Sequence, residues 1–247
     1  MLITAALSDK GKVRRINQDT IFSSAERIGE LPDLFLVADG MGGHRAGDYC
    51  SRMLVERILS DVRNTKKGEP VSIVRSAIED ANTRLFKESI SDPGLAGMGS
   101  TLVAAMIVKS KLYAFNVGDS RLYVIGSQVR QITRDHSFVE EMVDAGRMKR
   151  ESSDYKNNKN IITRAIGIGM RVDVDVFELN LKKEDIILLC SDGLTNMMSD
   201  EEIGETIKKS DSLDHAAKEL VRISNERGGI DNISTILIAS PGREENP

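Results

Sequence analysis

The stretch STLVAAMIVKSKLYAFNVGDSRLYVIGSQVRQI, residues 100–132, decides the fold class. It holds four strand candidates at 100–109, 111–117, 121–126 and 128–132, rich in Val, Ile, Leu, Tyr and Phe and broken by short polar or glycine-containing links. A parallel crossover needs about a dozen residues, so these links predict an antiparallel meander and exclude a doubly wound parallel sheet.

Working outward, two amphipathic helices precede the meander. Residues 46–64 place Cys50, Met53, Leu54, Ile58 and Leu59 near the helical period, and 71–90 do the same with Val74, Ala77, Ile78, Ala81 and Leu85. Residues 1–7 read as a first strand. The last third reads as strands at 172–180 and 185–190, helices at 200–208 and 212–227, and a strand at 232–239. Strands and helices segregated in this way predict an α+β fold, a four-layer α-β-β-α sandwich of two mainly antiparallel sheets flanked by helix pairs. The whole is expected to be one domain over 1–240, with 144–160 as a long polar surface loop and 241–247 as a tail.

Composition narrows the function. Of 247 residues, 40% are apolar and 29% charged, with 20 Gly and only 5 Pro, which fits a packed core and not a disordered or collagen-like chain. The net charge is −4 and the basic residues form no tract, so neither nucleic acid nor a membrane surface is an expected partner. Cys50 and Cys190 lie too far apart for a ligand pair, and no apolar run approaches the ~18 residues of a membrane span. A reducing cytoplasm is the expected location.

Five Asp residues then stand out, because each flanks a predicted strand. Asp39, Asp119 and Asp192 follow strands, whereas Asp19 and Asp231 precede them. Singly, Asp-Gly and Gly-Asp are ordinary turn chemistry. Together, strand ends converging on one sheet edge would crowd carboxylates that repel one another, and a cation relieves that repulsion. Oxygen-only ligation favours Mg²⁺ or Mn²⁺, and several acidic ligands favour two ions, a recurrent device for activating water against a phosphoryl group. Arg14, five residues before Asp19, is placed to present a guanidinium fork to phosphate, while strand alternation turns Arg15 the other way.

These blocks, Arg14 with Asn17-Gln18-Asp19, Asp39-Gly40-Met41-Gly42-Gly43-His44, Gly99-Ser100-Thr101, Gly118-Asp119-Ser120-Arg121, Ser191-Asp192-Gly193-Leu194 and Asp231-Asn232-Ile233-Ser234, resemble the bacterial branch of the metal-dependent protein phosphatases of type 2C. They occur in the family order from residue 8 to 239. The resemblance implies hydrolysis of phosphoserine and phosphothreonine in proteins, a partner serine/threonine kinase among the substrates, and a monomer. It implies that Asp39 bridges two Mn²⁺ or Mg²⁺ ions with help from the Gly40 carbonyl, and that Asp192 and Asp231 complete the shell of one ion. Asp19 would hold metal-bound water, Asp119 with Asp192 would take a third, weaker ion, and Arg14 would grip the phosphoryl oxygens. A water between the first two ions would be the nucleophile.

Met41 stands where many animal members carry His, as is common in bacterial ones, which leaves His44 or a metal-bound water to protonate the leaving alkoxide. The 144–160 segment falls where the family places a variable flap beside the cleft. The strongest rival reading, a dinucleotide site at Gly40-Met41-Gly42-Gly43, fails because two successive helices follow and Asp39 would repel pyrophosphate. Cysteine-based phosphatase chemistry lacks its arginine, since Glu56 and Asn196 stand six residues after the two cysteines. A non-catalytic relative of the same fold is the alternative in another class.

Overall fold

The computed structural model describes residues 2–43, 46–150 and 152–239. In chain order the strands are β1 (Ile3–Asp9), β2 (Asp19–Ser24), β3 (Leu34–Met41), β4 (Gly99–Ser100), β5 (Leu102–Val108), β6 (Lys111–Val117), β7 (Arg121–Ile125), β8 (Val129–Gln131), β9 (Asp175–Asn180), β10 (Ile186–Cys190) and β11 (Ile233–Ala239). The helices are α1 (Ala46–Asn64), α2 (Pro70–Ser91), α3 (Phe138–Asp144), α4 (Ser153–Asn158), α5 (Asp192–Thr195), α6 (Asp200–Lys209) and α7 (Leu213–Glu226). One sheet runs β1-β11-β10-β7-β8 and the other β2-β3-β5-β6-β9, with β4 pairing β3, all antiparallel. The expected four layers are present.

Side-chain alternation explains the layers. On β3, Leu34, Leu36 and Ala38 pack with α1 and α2, whereas Phe35 and Val37 face the second sheet. Likewise β10 gives Ile186, Leu188 and Cys190 to the side of α6 and α7, and Ile187 and Leu189 to the space between the sheets. Both faces of each central strand are buried, so the runs read as continuously apolar instead of alternating. Three apolar seams therefore hold four layers, two under the helices and one between the sheets.

Several expectations need correction. Residues 100–132 do not form one meander: β5 and β6 pair in one sheet, and β7 and β8 in the other. The chain changes sheets at Gly118, whose φ of +105° suits glycine and whose missing Cβ leaves room for Thr101. His136 holds that crossing, its Nδ1 accepting from Gly118 N at 3.0 Å and its own N–H donating to Gly118 O at 2.9 Å. β3 does not stop before Asp39 but continues to Met41, because Gly40 stays in the ladder opposite Ser100 and donates to Gln18 O at 3.1 Å.

The strand expected at 172–180 begins only at Asp175. The supposed loop at 144–160 contains α4, capped by the Ser152 hydroxyl and preceded by α3 with its Ser137 cap. Buried Glu140 ties this segment down, accepting two hydrogen bonds from Arg150, at 3.2 and 2.6 Å, and one from Tyr155 at 2.6 Å. The segment is polar because it is held by ion pairs, not because it is unstructured. His44 and the tail at 241–247 lie outside the described residues.

One buried acid makes a stability prediction. Asp33, 4% exposed ahead of β3, accepts the Ile107 N–H at 2.7 Å, and burial lifts its carboxyl from 3.8 to about 6. The folded chain then binds this proton more tightly than the unfolded one, so its contribution is full below pH ~4 and is lost as pH rises through about 6. Asp33→Asn keeps an acceptor for Ile107 and removes the buried charge. It should stabilise the protein by about 1–3 kcal/mol at pH 7 and by little at pH 4. Paired thermal melts at the two pH values check this, and equal effects at both would refute it.

Candidate active site and metal centre

The two sheets present their ends together at one edge. β3, β6 and β10 run toward it, while β2, β7 and β11 leave it, so the residues at those ends converge although they are far apart in sequence. Asp19 and Asp39 are direct partners across β2 and β3. Asp192 opens α5 immediately after β10, Asp231 lies two residues before β11, and Asp119 sits in the crossing between the sheets. A cleft of about 230 Å³ is lined by Asp39, Gly40, Asp119, Asp192, Asp231 and Arg14. Asp19, the ladder partner of Asp39, is not part of that lining.

Gly40 is demanded by packing. A Cβ there would fall 2.2 Å from the carbonyl oxygen of Gly47 in α1, so only glycine lets the strand end and the helix start approach. Asp39 is fixed through its backbone: its N donates to Thr101 Oγ1 at 3.2 Å, and its O accepts from Thr101 N at 2.9 Å and Ser100 Oγ at 3.0 Å. Asp19 Oδ2 accepts from the Ser191 and Ser234 hydroxyls at 2.8 and 2.7 Å, and Asp192 Oδ2 accepts from Asn196 at 2.8 Å. Each of these two carboxylates keeps a second buried oxygen, Oδ1, without a hydrogen-bond partner.

Electrostatics express the crowding. Burial, then the neighbouring carboxylates, raise Asp39 well above the ordinary carboxyl range. Burial leads for the others too, lifting Asp19 and Asp192 to about 6 and Asp119 to about 8, with Asp192 and Asp231 among the repelling neighbours. Carboxylates held together against this cost, with buried oxygens unpartnered, fit hard cations. Among the described residues no three acidic, His or Cys side chains form a ready cage around one point. The three carboxylates expected on one ion, Asp39, Asp192 and Asp231, are therefore not pre-assembled around a point, and a hard ion that retains several waters does not need a closed cage.

The remaining site residue expected from sequence, Arg14, does not stand alone. Its Nη2 donates to Asp231 Oδ2 at 2.7 Å, with half the side chain exposed at the cleft mouth. Among the described residues Arg15 has no such ion pair. Sequence reading misses the groups that aim the carboxylates: Ser191, Ser234, Asn196, and Asn232, which accepts from Gln18 N at 2.8 Å and donates to the carbonyls of Lys10 and Ile16. A Ser or Asn beside an Asp is common turn composition, so the only signal is register, which brings Ser191 N within 3.1 Å of Ser234 O.

Comparison with known proteins agrees with this geometry. The family model for protein phosphatase 2C matches residues 13–233. A serine/threonine phosphatase, stp, of Listeria welshimeri is 38% identical over 239 residues, which span 94% of this chain and 93% of that protein. The solved structure of the serine/threonine phosphatase Stp1 from Staphylococcus aureus superposes with a TM-score of 0.90 at 33% identity, covering 98% of this chain and 96% of that one. The catalytic domain of the serine/threonine protein phosphatase PstP, solved in complex with two manganese ions, gives 0.83 at 30% identity, covering 96% and 97%. With its two helix-flanked sheets and the acidic cleft at their common edge, the chain belongs to the protein phosphatase 2C family.

Proposed function

We propose that the cleft between Asp39 and Asp192 is where this chain, a metal-dependent serine/threonine phosphoprotein phosphatase, hydrolyses phosphoserine and phosphothreonine. The observation that carries the reading is the pair of buried, unpartnered oxygens on Asp19 and Asp192 among carboxylates forced together by the fold. Asp39, the Gly40 carbonyl, Asp192 and Asp231 are the proposed ligands of two tightly held Mn²⁺ or Mg²⁺ ions, and Asp119 with Asp192 of a third, weaker one. When bound, such ions acidify an attacking water and neutralise the phosphoryl oxygens. Asp19, oriented by Ser191 and Ser234, holds water for that attack.

Arg14, half exposed, can exchange Asp231 for the phosphoryl group. His44 is the proposed donor to the leaving alkoxide, with water as the other source. The segment at 144–160, pinned through Glu140, acts as a flap against protein substrates. The chain is proposed to work as a cytoplasmic monomer on phosphoproteins that include a partner kinase, without nucleic acid or membrane. No helix among the described residues is long and apolar enough to cross a membrane.

Hydrolysis of p-nitrophenyl phosphate with and without Mn²⁺ tests the reading. Activity should appear with Mn²⁺ and fall to background in chelator, because the proposed nucleophile is a water that only the bound ions acidify. Undiminished turnover after metal stripping would overturn the mechanism, and no turnover with any divalent ion would favour the non-catalytic alternative.

A further inference from the structure

At the edge of the sandwich opposite the acidic cleft, the apolar seam between the sheets opens into a second cavity, of about 220 Å³. β6 and β10 begin there, and β5, β9 and β11 end there. The wall is made by Leu2, Ile107, Leu181, Ile187 and Ile238, which belong to that seam or pack against it. The rim carries three lysines, Lys109 in the β5–β6 turn and Lys182 and Lys183 in the β9–β10 turn. All three are exposed, and among the described residues none makes an ion pair. The acid in the lining, Asp185, is committed to its own turn, accepting from Lys182 N at 2.9 Å.

The lysine-bearing turns are tied to each other, because Leu181 N donates to Ser110 O at 2.8 Å. Like charges gathered in this way without a carboxylate partner repel, and a bound anion relieves that repulsion. Lys109 also sits at φ +60°, the lone non-glycine residue with positive φ among the described residues. Val108 pairs with Lys111, so Lys109 opens a two-residue hairpin turn, a position that glycine or asparagine fills without strain. Strain of this kind persists where the side chain has a task, and here Lys109 lines the cavity. An apolar wall with a few convergent polar groups is the ordinary composition of a small-molecule site.

We propose that this cavity binds a small amphipathic monoanion, a carboxylate on a short aliphatic body, with the body against Ile107, Ile187 and Ile238 and the carboxylate among Lys109, Lys182 and Lys183. Volume sets the body: at ~30 Å³ for each water-sized group the cavity takes roughly seven, a chain of about six to eight carbons. Charge sets the head group. The concave shape selects a free molecule over a lipid surface, which needs apolar side chains that protrude into it. Ile107 belongs to one sheet and Ile187 and Ile238 to the other, so the ligand bridges the two sheets and stabilises their stacking. The site is independent of the chemistry proposed for the acidic cleft.

Octanoate is the probe, titrated calorimetrically into the full chain with Mn²⁺ at low salt and pH 7. One equivalent should bind saturably, and affinity should rise about fourfold per methylene from butanoate to octanoate, the fold-change for burying one methylene, then stop rising for longer chains. Octanoate should raise the melting temperature, and uncharged octan-1-ol should raise it less. Lys109→Gly, which suits the φ of +60°, should melt no lower than the parent. It should bind octanoate about two- to fivefold more weakly, as should Lys182→Ala, with octan-1-ol binding unchanged in both. Absence of saturable octanoate binding tighter than about 10 mM would overturn the proposal. So would affinity that ignores chain length, which is ion pairing at the surface alone, or lysine variants that bind octanoate as the parent does. Displacement by excess inorganic phosphate would put octanoate on the ions of the acidic cleft and refute the second site. Binding to phosphatidylglycerol vesicles that octanoate fails to compete for, and that the lysine variants lose, would assign the rim to a lipid surface instead.

Discussion

Asp39→Ala is expected to remove metal-dependent turnover by about a thousandfold or more, because bound cations supply several kcal/mol of charge stabilisation and Asp39 is the ligand proposed to be shared between two of them. Asp231→Ala should do the same at one ion. Neither variant should unfold the chain. In chelator, Asp39→Ala should melt no lower than the parent, since it removes a buried carboxyl whose ionisation is opposed by burial and then by Asp19, Asp192, Asp119 and Asp231. The sign follows from linkage. These carboxyls hold protons more tightly in the folded chain than in the unfolded one, so the metal-free fold loses stability as pH rises through about 6 for Asp19 and Asp192 and about 8 for Asp119. The variant should therefore show a shallower decline between pH 5 and 8. Wild-type rates in both variants would discard the ligand assignment, and a large drop in metal-free melting temperature would show that Asp39 is instead a structural anchor.

Arg14→Ala should lower kcat/KM by about 10- to 150-fold, the loss of roughly 1.5–3 kcal/mol expected for hydrogen bonds to a charged group. Mn²⁺ affinity should hold or improve, because the substitution takes away the cation that sits on Asp231 at 2.7 Å. Arg15→Ala should stay within about twofold on both counts. Inhibition by inorganic phosphate separates the effects: its inhibition constant should rise with Arg14→Ala and not with Arg15→Ala. Equal behaviour of the two variants would remove the positional argument, and weakened metal binding in Arg14→Ala would mean that the Arg14–Asp231 pair organises the ligand instead of competing for it.

The amino-acid sequence by itself determined the antiparallel class and the two long helices under one sheet, and it singled out the acidic residues that the fold brings to one edge, because each rests on short-range chemistry. Apolar runs, helical period and Asp beside Gly are legible within ten or twenty residues. Tertiary structure alone decided where the β5–β6 and β7–β8 hairpins part company, since the change of sheet at Gly118 is held by its pairing with His136, which no period or turn motif announces. It also decided which oxygens of Asp19 and Asp192 are satisfied and which are not. Ser191 and Ser234 reach Asp19 only through the pairing of β10 with β11 and the stacking of one sheet on the other. The segment at 144–160 reads as a loop because its order comes from Arg150 and Tyr155 closing on buried Glu140, and such side-chain contacts follow no helical or strand period. Local patterns report what a residue can form, whereas the partner it meets is set by strand register and layer packing, which no window of sequence contains.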